Sequence, residues 1–169
     1  TRLTQSAPNV LDAGVASTPA RPAFLATNGM TTAQLGLGLP GIATIYTGYL
    51  DVAYYGDPAN PLTSFWVNNQ LAPPNVQNPT PVVRVPNKRI PLLATLPNAS
   101  SQQTKPANGW PVVIFLHGIT LNRTVMLSMA DSFALAGFAV IAIDLPLHGV
   151  TDPANPFYQG PNSPLGNNE

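Results

Sequence analysis

Apolar positions along this chain follow two kinds of pattern, and the more regular kind lies in the final third. Val112-Val113-Ile114-Phe115-Leu116 and Phe138-Ala139-Val140-Ile141-Ala142-Ile143 are continuous apolar runs. Runs of that kind are typical of parallel strands buried on both faces. Between them Met126, Met129, Ala130, Phe133 and Ala134 recur at the i, i+3, i+4, i+7, i+8 spacing of one helical face. Gly137 stands where a helix C-terminus is capped. The pattern predicts a strand, a helix from Asn122 or Arg123 to Ala136, and a second strand. Together they make a βαβ unit with a right-handed crossover.

Upstream, periodicity is weaker and β-branched and aromatic residues carry the reading. Ile42, Ile45, Tyr46, Tyr49, Leu50, Val52, Tyr54 and Tyr55 predict one strand or a bent pair. Asp57-Pro58-Ala59-Asn60-Pro61 ends it, because two prolines remove backbone donors. Phe65-Trp66-Val67 reads as a small apolar anchor, and residues 71–81 as a Pro/Asn loop. Residues 82–85 and 89–96 read as an antiparallel hairpin around Pro86-Asn87-Lys88, with Pro91 placing its second strand at a sheet edge. Residues 97–109 read as a polar surface loop. Residues 1–41 read as extended and loop-rich, with at most a short helix near Asn9–Ala16. The expected organisation is thus 1–41, a β-rich segment over 42–96, the βαβ part over 110–151, and an exposed Pro/Asn/Gly loop over 152–169.

Composition narrows the function classes. Of 169 residues 44% are hydrophobic, enough for a core, but only 8% are charged where roughly 25% is usual. Seven basic residues balance seven acidic ones, so no basic face attracts phosphates and nucleic-acid binding is disfavoured. There are no cysteines, which excludes disulfides, thiolate metal sites and a cysteine nucleophile from this chain. No carboxylate pattern accompanies His117 and His148, so no metal site is expected, and no cofactor. No apolar run reaches the roughly 20 residues of a membrane-spanning helix. Twenty prolines and 13 glycines point to long ordered loops.

A His-Gly turn after the first strand of a βαβ unit invites a nucleotide reading or a hydrolase reading. The turn lacks G-x-G-x-x-G and G-x-x-x-x-G-K-[ST], so no backbone cradle for phosphates is present. In the α/β-hydrolase sheet, by contrast, the corresponding loop supplies one N–H of the oxyanion hole. A fixed donor about 3 Å from the carbonyl oxygen stabilises the charge that grows there during ester attack. Gly118 and Ile119 would make that turn, flanked by His117 and Thr120. His117 is tempting as a general base, but directly after a buried strand a histidine more often holds its loop by hydrogen bonds. Asp144 and His148, after the second strand, read as loop-bracing residues. The four tyrosines between 46 and 55 could line an acyl site, although strand packing is the commoner use. Met126 and Met129 read as core fillers. Asn98-Ala99-Ser100 and Asn122-Arg123-Thr124 match the glycosylation pattern.

The runs Gly109 to Thr124 and Gly137 to Gly149, with Tyr46 to Tyr55 and Pro61 to Trp66 upstream, resemble the bacterial extracellular lipases of the virulence-factor lipase family. The resemblance covers about residues 42–152. It implies the N-terminal part of an α/β-hydrolase with a Ser-His-acid triad acting on carboxylic esters such as lipids. It also implies Ile119 as first oxyanion donor, His148-Gly149 closing the next loop, and a secreted or cell-surface location.

The family's G-x-S-x-G nucleophile elbow is not in this sequence. Ser163 in Gly160-Pro161-Asn162-Ser163-Pro164-Leu165-Gly166 has the wrong spacing, and Asp144 lies one strand too early for the triad acid. The nucleophile, base and acid are therefore expected outside this chain, on a C-terminal portion of the same precursor that completes the sheet after cleavage beyond Asn155. Two rivals remain: a non-catalytic binding module on a hydrolase scaffold, and a structural surface protein serving adhesion.

Overall fold

A computed structural model describes residues 23–160. The chain divides into two compact units. Among the described residues the larger contains 23–50 and 89–160, and the smaller contains 51–88. The expected helix near Asn9–Ala16 and Ser163 lie outside the described residues.

One mixed five-stranded sheet runs in the order β1-β2-β3-β5-β4. Its strands are β1 (Ala23–Thr31), β2 (Ala43–Tyr54), β3 (Val85–Pro97), β4 (Val112–Leu116) and β5 (Ala139–Ile143). β1 pairs antiparallel with β2, so part of the segment read as loop-like is a strand. It is followed by a 3-10 turn at Thr32–Leu35, closed by Gly36 at φ 71°. β2 is a single strand.

The hairpin expected over 82–96 is absent: β3 continues through Pro86-Asn87-Lys88, and residues 82–84 are not strand. Turn residues prevailed in the sequence reading, yet a fixed proline φ is compatible with the first residues of a strand. β3 is also interior rather than an edge. Pro91 is accommodated because β3 pairs with β5 only from Leu92, opposite Ile143, to Thr95, opposite Val140. On that side Pro91 has no ladder partner to deprive.

The predicted βαβ unit is present. β4 and β5 pair in parallel, from Val112 opposite Ala139 to Leu116 opposite Ile143. Between them a 3-10 turn (Arg123–Met126) leads into helix α1 (Leu127–Leu135). Asn122 caps the turn by accepting the Thr124 N–H. Asn98 does the same for Ser100, so both glycosylation-like triplets act as N-caps. At the helix end the Gly137 N–H donates to the Ala134 carbonyl and the Phe138 N–H to that of Phe133, a Schellman motif with Gly137 at φ 81°.

The core lies between α1 and one face of the sheet. Ala43, Ile45, Leu93, Val140 and Ala142 meet Met126, Leu127, Ala130 and Ala134 there, with Val113, Phe115 and Phe133 packed against them. The buried helix face is Leu127, Ala130, Asp131 and Ala134. Met129 is therefore exposed rather than a core filler, and Asp131 takes a buried place that sequence reading gave to apolar residues alone. Its carboxylate accepts from the Thr32 hydroxyl and from the Gly41 and Ala43 N–H groups at 2.5–3.0 Å. Those bonds compensate its desolvation and tie α1 to the start of β2.

β4 is not buried on both faces. Val112, Ile114 and Leu116 alternate outward, and Ile114 is 70% exposed. The reason is position: β4 is the edge strand, and one of its faces and one of its ladder sides are uncovered. The loop expected to be exposed over 152–169 departs from that reading in the other direction at Phe157. Residues 152–154 are exposed, but Phe157 joins the core, as does Val150 just before the loop.

In the smaller unit, Asn68 is buried and organises the Pro/Asn loop. Its side-chain oxygen accepts the Gln70 and Ala72 N–H groups, and its amide donates to the Pro73 and Asn78 carbonyls. No helix among the described residues is long and apolar enough to cross a membrane.

Candidate functional site

The chemistry-bearing residues collect where β4 and β5 end. Because the two strands are parallel and in register, His117 and Asp144 leave the sheet on adjacent strand ends. Open α/β sheets bind ligands beyond their carboxyl ends.

His117 is buried and both ring nitrogens are engaged. Nε2 accepts the Leu145 N–H at 3.0 Å, and Nδ1 lies 2.8 Å from the Gly118 carbonyl. A backbone N–H only donates, so Nε2 carries a lone pair and Nδ1 carries the hydrogen that donates to Gly118. This arrangement fixes a neutral tautomer. The 4.0 Å separation of Nε2 from Asp144 Oδ1 is consequently neither an ion pair nor a hydrogen bond. Both ring nitrogens are thus engaged within the protein, and His117 ties the end of β4 to the residue after Asp144. The His148 ring stands 5.2 Å from that of His117, centroid to centroid, tilted by 46°. Its Nδ1 lies 2.9 Å from the Pro146 carbonyl. The two histidines do face each other across the strand ends.

Asp144 braces the other side. It is 3% exposed and accepts from both the backbone N–H and the Nη1 of Arg123, itself 2% exposed. Arg123 Nη2 donates to the Phe157 carbonyl at 2.5 Å. The pair thus links the end of β5, the start of the crossover and the 157 segment. Sequence reading placed Arg123 only at the start of the helix and gave it no part in the site. An Arg one residue after an N-cap, with an Asp closing the next strand, is the pattern that could have signalled it.

Between these braces lies Gly118-Ile119-Thr120. The Leu121 N–H closes the turn on the Gly118 carbonyl at 3.2 Å. Thr120, not Gly118, carries the left-handed conformation, at φ 66°. A Cβ on Gly118 would meet only Leu121 Cδ1 at 3.8 Å, so glycine is not sterically demanded there. Ile119 is 85% exposed. Among the described residues no group accepts its N–H. The loop therefore holds an unused donor in a fixed frame, next to the uncovered ladder side of β4. The tyrosines pack locally: Arg89 lies 3.7 Å over the Tyr49 ring, and Tyr55 meets Trp66.

The family model described as platelet-activating factor acetylhydrolase, isoform II, matches residues 88–146. That stretch contains most of β3, all of β4, α1 and β5, and His117, Gly118, Ile119, Thr120, Arg123 and Asp144. No curated protein matches the chain. No solved structure matches it either. The matched stretch and the mixed sheet agree on an α/β-hydrolase type of fold, and the match supports a lipase-like hydrolase family at that level of description, without singling out the virulence-factor lipases.

Proposed function

We propose that this chain is the N-terminal portion of a carboxylic ester hydrolase of the lipase or esterase class, working by a Ser-His-acid mechanism. The Ile119 N–H is the oxyanion donor contributed by this portion. The observation that carries the reading is the unused Ile119 amide at the carboxyl end of an edge strand, held from below by His117 and Asp144. A parallel strand added at the open side of β4 would lie opposite to β5. That creates the kind of switch point at which α/β sheets place their ligands. A nucleophile elbow at the end of such a strand sits beside Ile119 and supplies the second oxyanion amide.

In this scheme the ester carbonyl enters over Gly118-Ile119. As the nucleophile adds, the Ile119 N–H meets the developing oxyanion, while His117 and Asp144 keep the turn from yielding. The partner is the C-terminal portion of the same precursor. The apolar outward face of β4 supports that partner, since Val112, Ile114 and Leu116 otherwise stand in water. An exported protein on or outside a bacterial cell fits the resemblance. Cleavage, if it separates the portions, fits the exposed Thr151–Ala154 better than residues beyond Phe157, which is anchored. The test is turnover of p-nitrophenyl esters of several acyl lengths by the longest polypeptide the gene encodes. Hydrolysis supports the reading. No turnover with any ester assigns the scaffold to a binding module instead.

A further inference from the structure

The turn that follows β5 is strained, and an imidazole lone pair holds its first residue. Leu145-Pro146-Leu147-His148 is closed by the His148 N–H, which donates to the Leu145 carbonyl at 3.0 Å. Pro146 stands second in the turn and Leu147 third, at φ 63°. A positive φ at the third position belongs to the type II turn, which favours glycine there, so a leucine stores strain. The N–H of Leu145 donates to His117 Nε2 at 3.0 Å.

That bond exists only while His117 is neutral. Protonation converts the Nε2 lone pair into an N–H, and donor then faces donor. Asp144 Oδ1 lies 4.0 Å from Nε2, on the residue just before Leu145. A shift of about 1 Å brings the two to the roughly 2.7–2.9 Å of a charge-assisted hydrogen bond. The other charged or titratable groups that the structure places around the ring are Arg123, bound to Asp144, and His148, with its ring centroid 5.2 Å away. The 157 segment meets this cluster through an uncharged carbonyl. Asp144 attracts an imidazolium at position 117, whereas Arg123 and a charged His148 repel it. Repulsion from His148 is relieved when the turn that carries it gives way.

We propose that His117 is an acid-sensitive latch on the Leu145–His148 turn. A proton from solvent adds to Nε2, the new N–H turns to Asp144 Oδ1, and the strained turn is released to relax. The Nδ1 hydrogen of the same ring is donated to the Gly118 carbonyl, so the latch also reaches the Gly118-Ile119 turn. Its effect on an oxyanion donor there rests on the hydrolase reading, whereas the latch itself does not.

NMR of the gene's longest product, isotope-labelled at its leucine and histidine nitrogens, tests the latch from about pH 8 to about pH 5, where histidine takes on charge. A Leu145→Ile variant assigns the Leu145 amide. The His117 ring should pass from the tautomer with hydrogen on Nδ1 to the imidazolium. With the same midpoint the Leu145 amide should shift, and its exchange protection should fall by about tenfold or more. In His148→Gln this response should persist, and in His117→Gln, whose amide does not titrate, it should vanish. A His117 ring that stays neutral across the span overturns the proposal. So does a Leu145 amide that stays still while the ring titrates, or one whose response His148→Gln removes. Should His117→Gln lose its circular dichroism, the two midpoints of the parent decide: coincidence supports the latch and disagreement refutes it. No ester enters this measurement, so loss of the hydrolase reading would leave the latch standing, and loss of the latch would leave ester turnover standing.

Discussion

Asp144 receives the backbone N–H and the guanidinium of Arg123 together, so one buried carboxylate sets where the crossover begins and where β5 ends. Buried pairs of this kind are costly to break because removal of one member strands the other. Arg123→Met should lower the unfolding free energy by about 3–5 kcal/mol, measured by urea denaturation. Replacing both, Arg123→Met with Asp144→Leu, should lose less than the single change, because no charge is then left unpaired. A single-variant loss within about 0.5 kcal/mol of zero would show that the pair is dispensable.

Asp131 provides a second buried carboxylate with a different task. Asp131→Ala leaves the Thr32 hydroxyl and the Gly41 and Ala43 amides without their acceptor. At roughly 1–3 kcal/mol for each group left buried and unpaired, a loss of about 3 kcal/mol or more is expected. Faster hydrogen exchange at Gly41 and Ala43 should accompany it. Unchanged exchange at both amides would contradict the assignment.

These two aspartates show where sequence reading reached and where it stopped. The βαβ unit was legible because two continuous apolar runs flank a 3.6-residue period, although of the two strands only β5 is covered in the way such a run implies. The Gly137 cap and the His117-Gly118-Ile119 turn were legible for the same local reason. The helix face was read from apolar residues alone, which held for Met126, Ala130 and Ala134 but not for Met129, and it left out Asp131, which three donors from distant segments make a core residue. The hairpin was wrong because Pro86-Asn87-Lys88 has turn composition, whereas the backbone there is the extended start of β3. Arg123 was invisible because its partners lie 21 and 34 residues away.

Two left-handed positions should respond in opposite directions. Gly137→Ala puts a Cβ at φ 81° and 3.4 Å from Gln103 Oε1, and should cost about 1–2 kcal/mol. Thr120→Gly relieves a β-branched residue at φ 66° and should gain about 1 kcal/mol. Thermal unfolding of both variants checks the pair of signs. A loss at Thr120→Gly would mean that the threonine side chain contributes more than its backbone strain removes.

The Asp57 carboxyl is held below the ordinary aspartate value, chiefly by the Ala59 N–H, then by the Asn60 side chain, with Arg84 adding to both and desolvation opposing them. A depressed value means that the turn's stabilisation is complete above the unfolded-chain value. It is lost as pH falls through the depressed folded value. A carbon-detected NMR titration should therefore place the Asp57 midpoint below that of an unfolded-chain aspartate. A midpoint at or above it would remove the Ala59 and Asn60 bonds from the account.

The central claim is that the Ile119 N–H serves the reaction and its side chain does not. The most direct measurement compares ester turnover of the gene's longest product as the parent, Ile119→Ala and Ile119→Pro. Alanine keeps the amide, so turnover should stay within a few-fold of the parent. Proline removes the amide, and turnover should fall by about 10²–10³-fold or more. An Ile119→Pro enzyme as active as Ile119→Ala would contradict the claim.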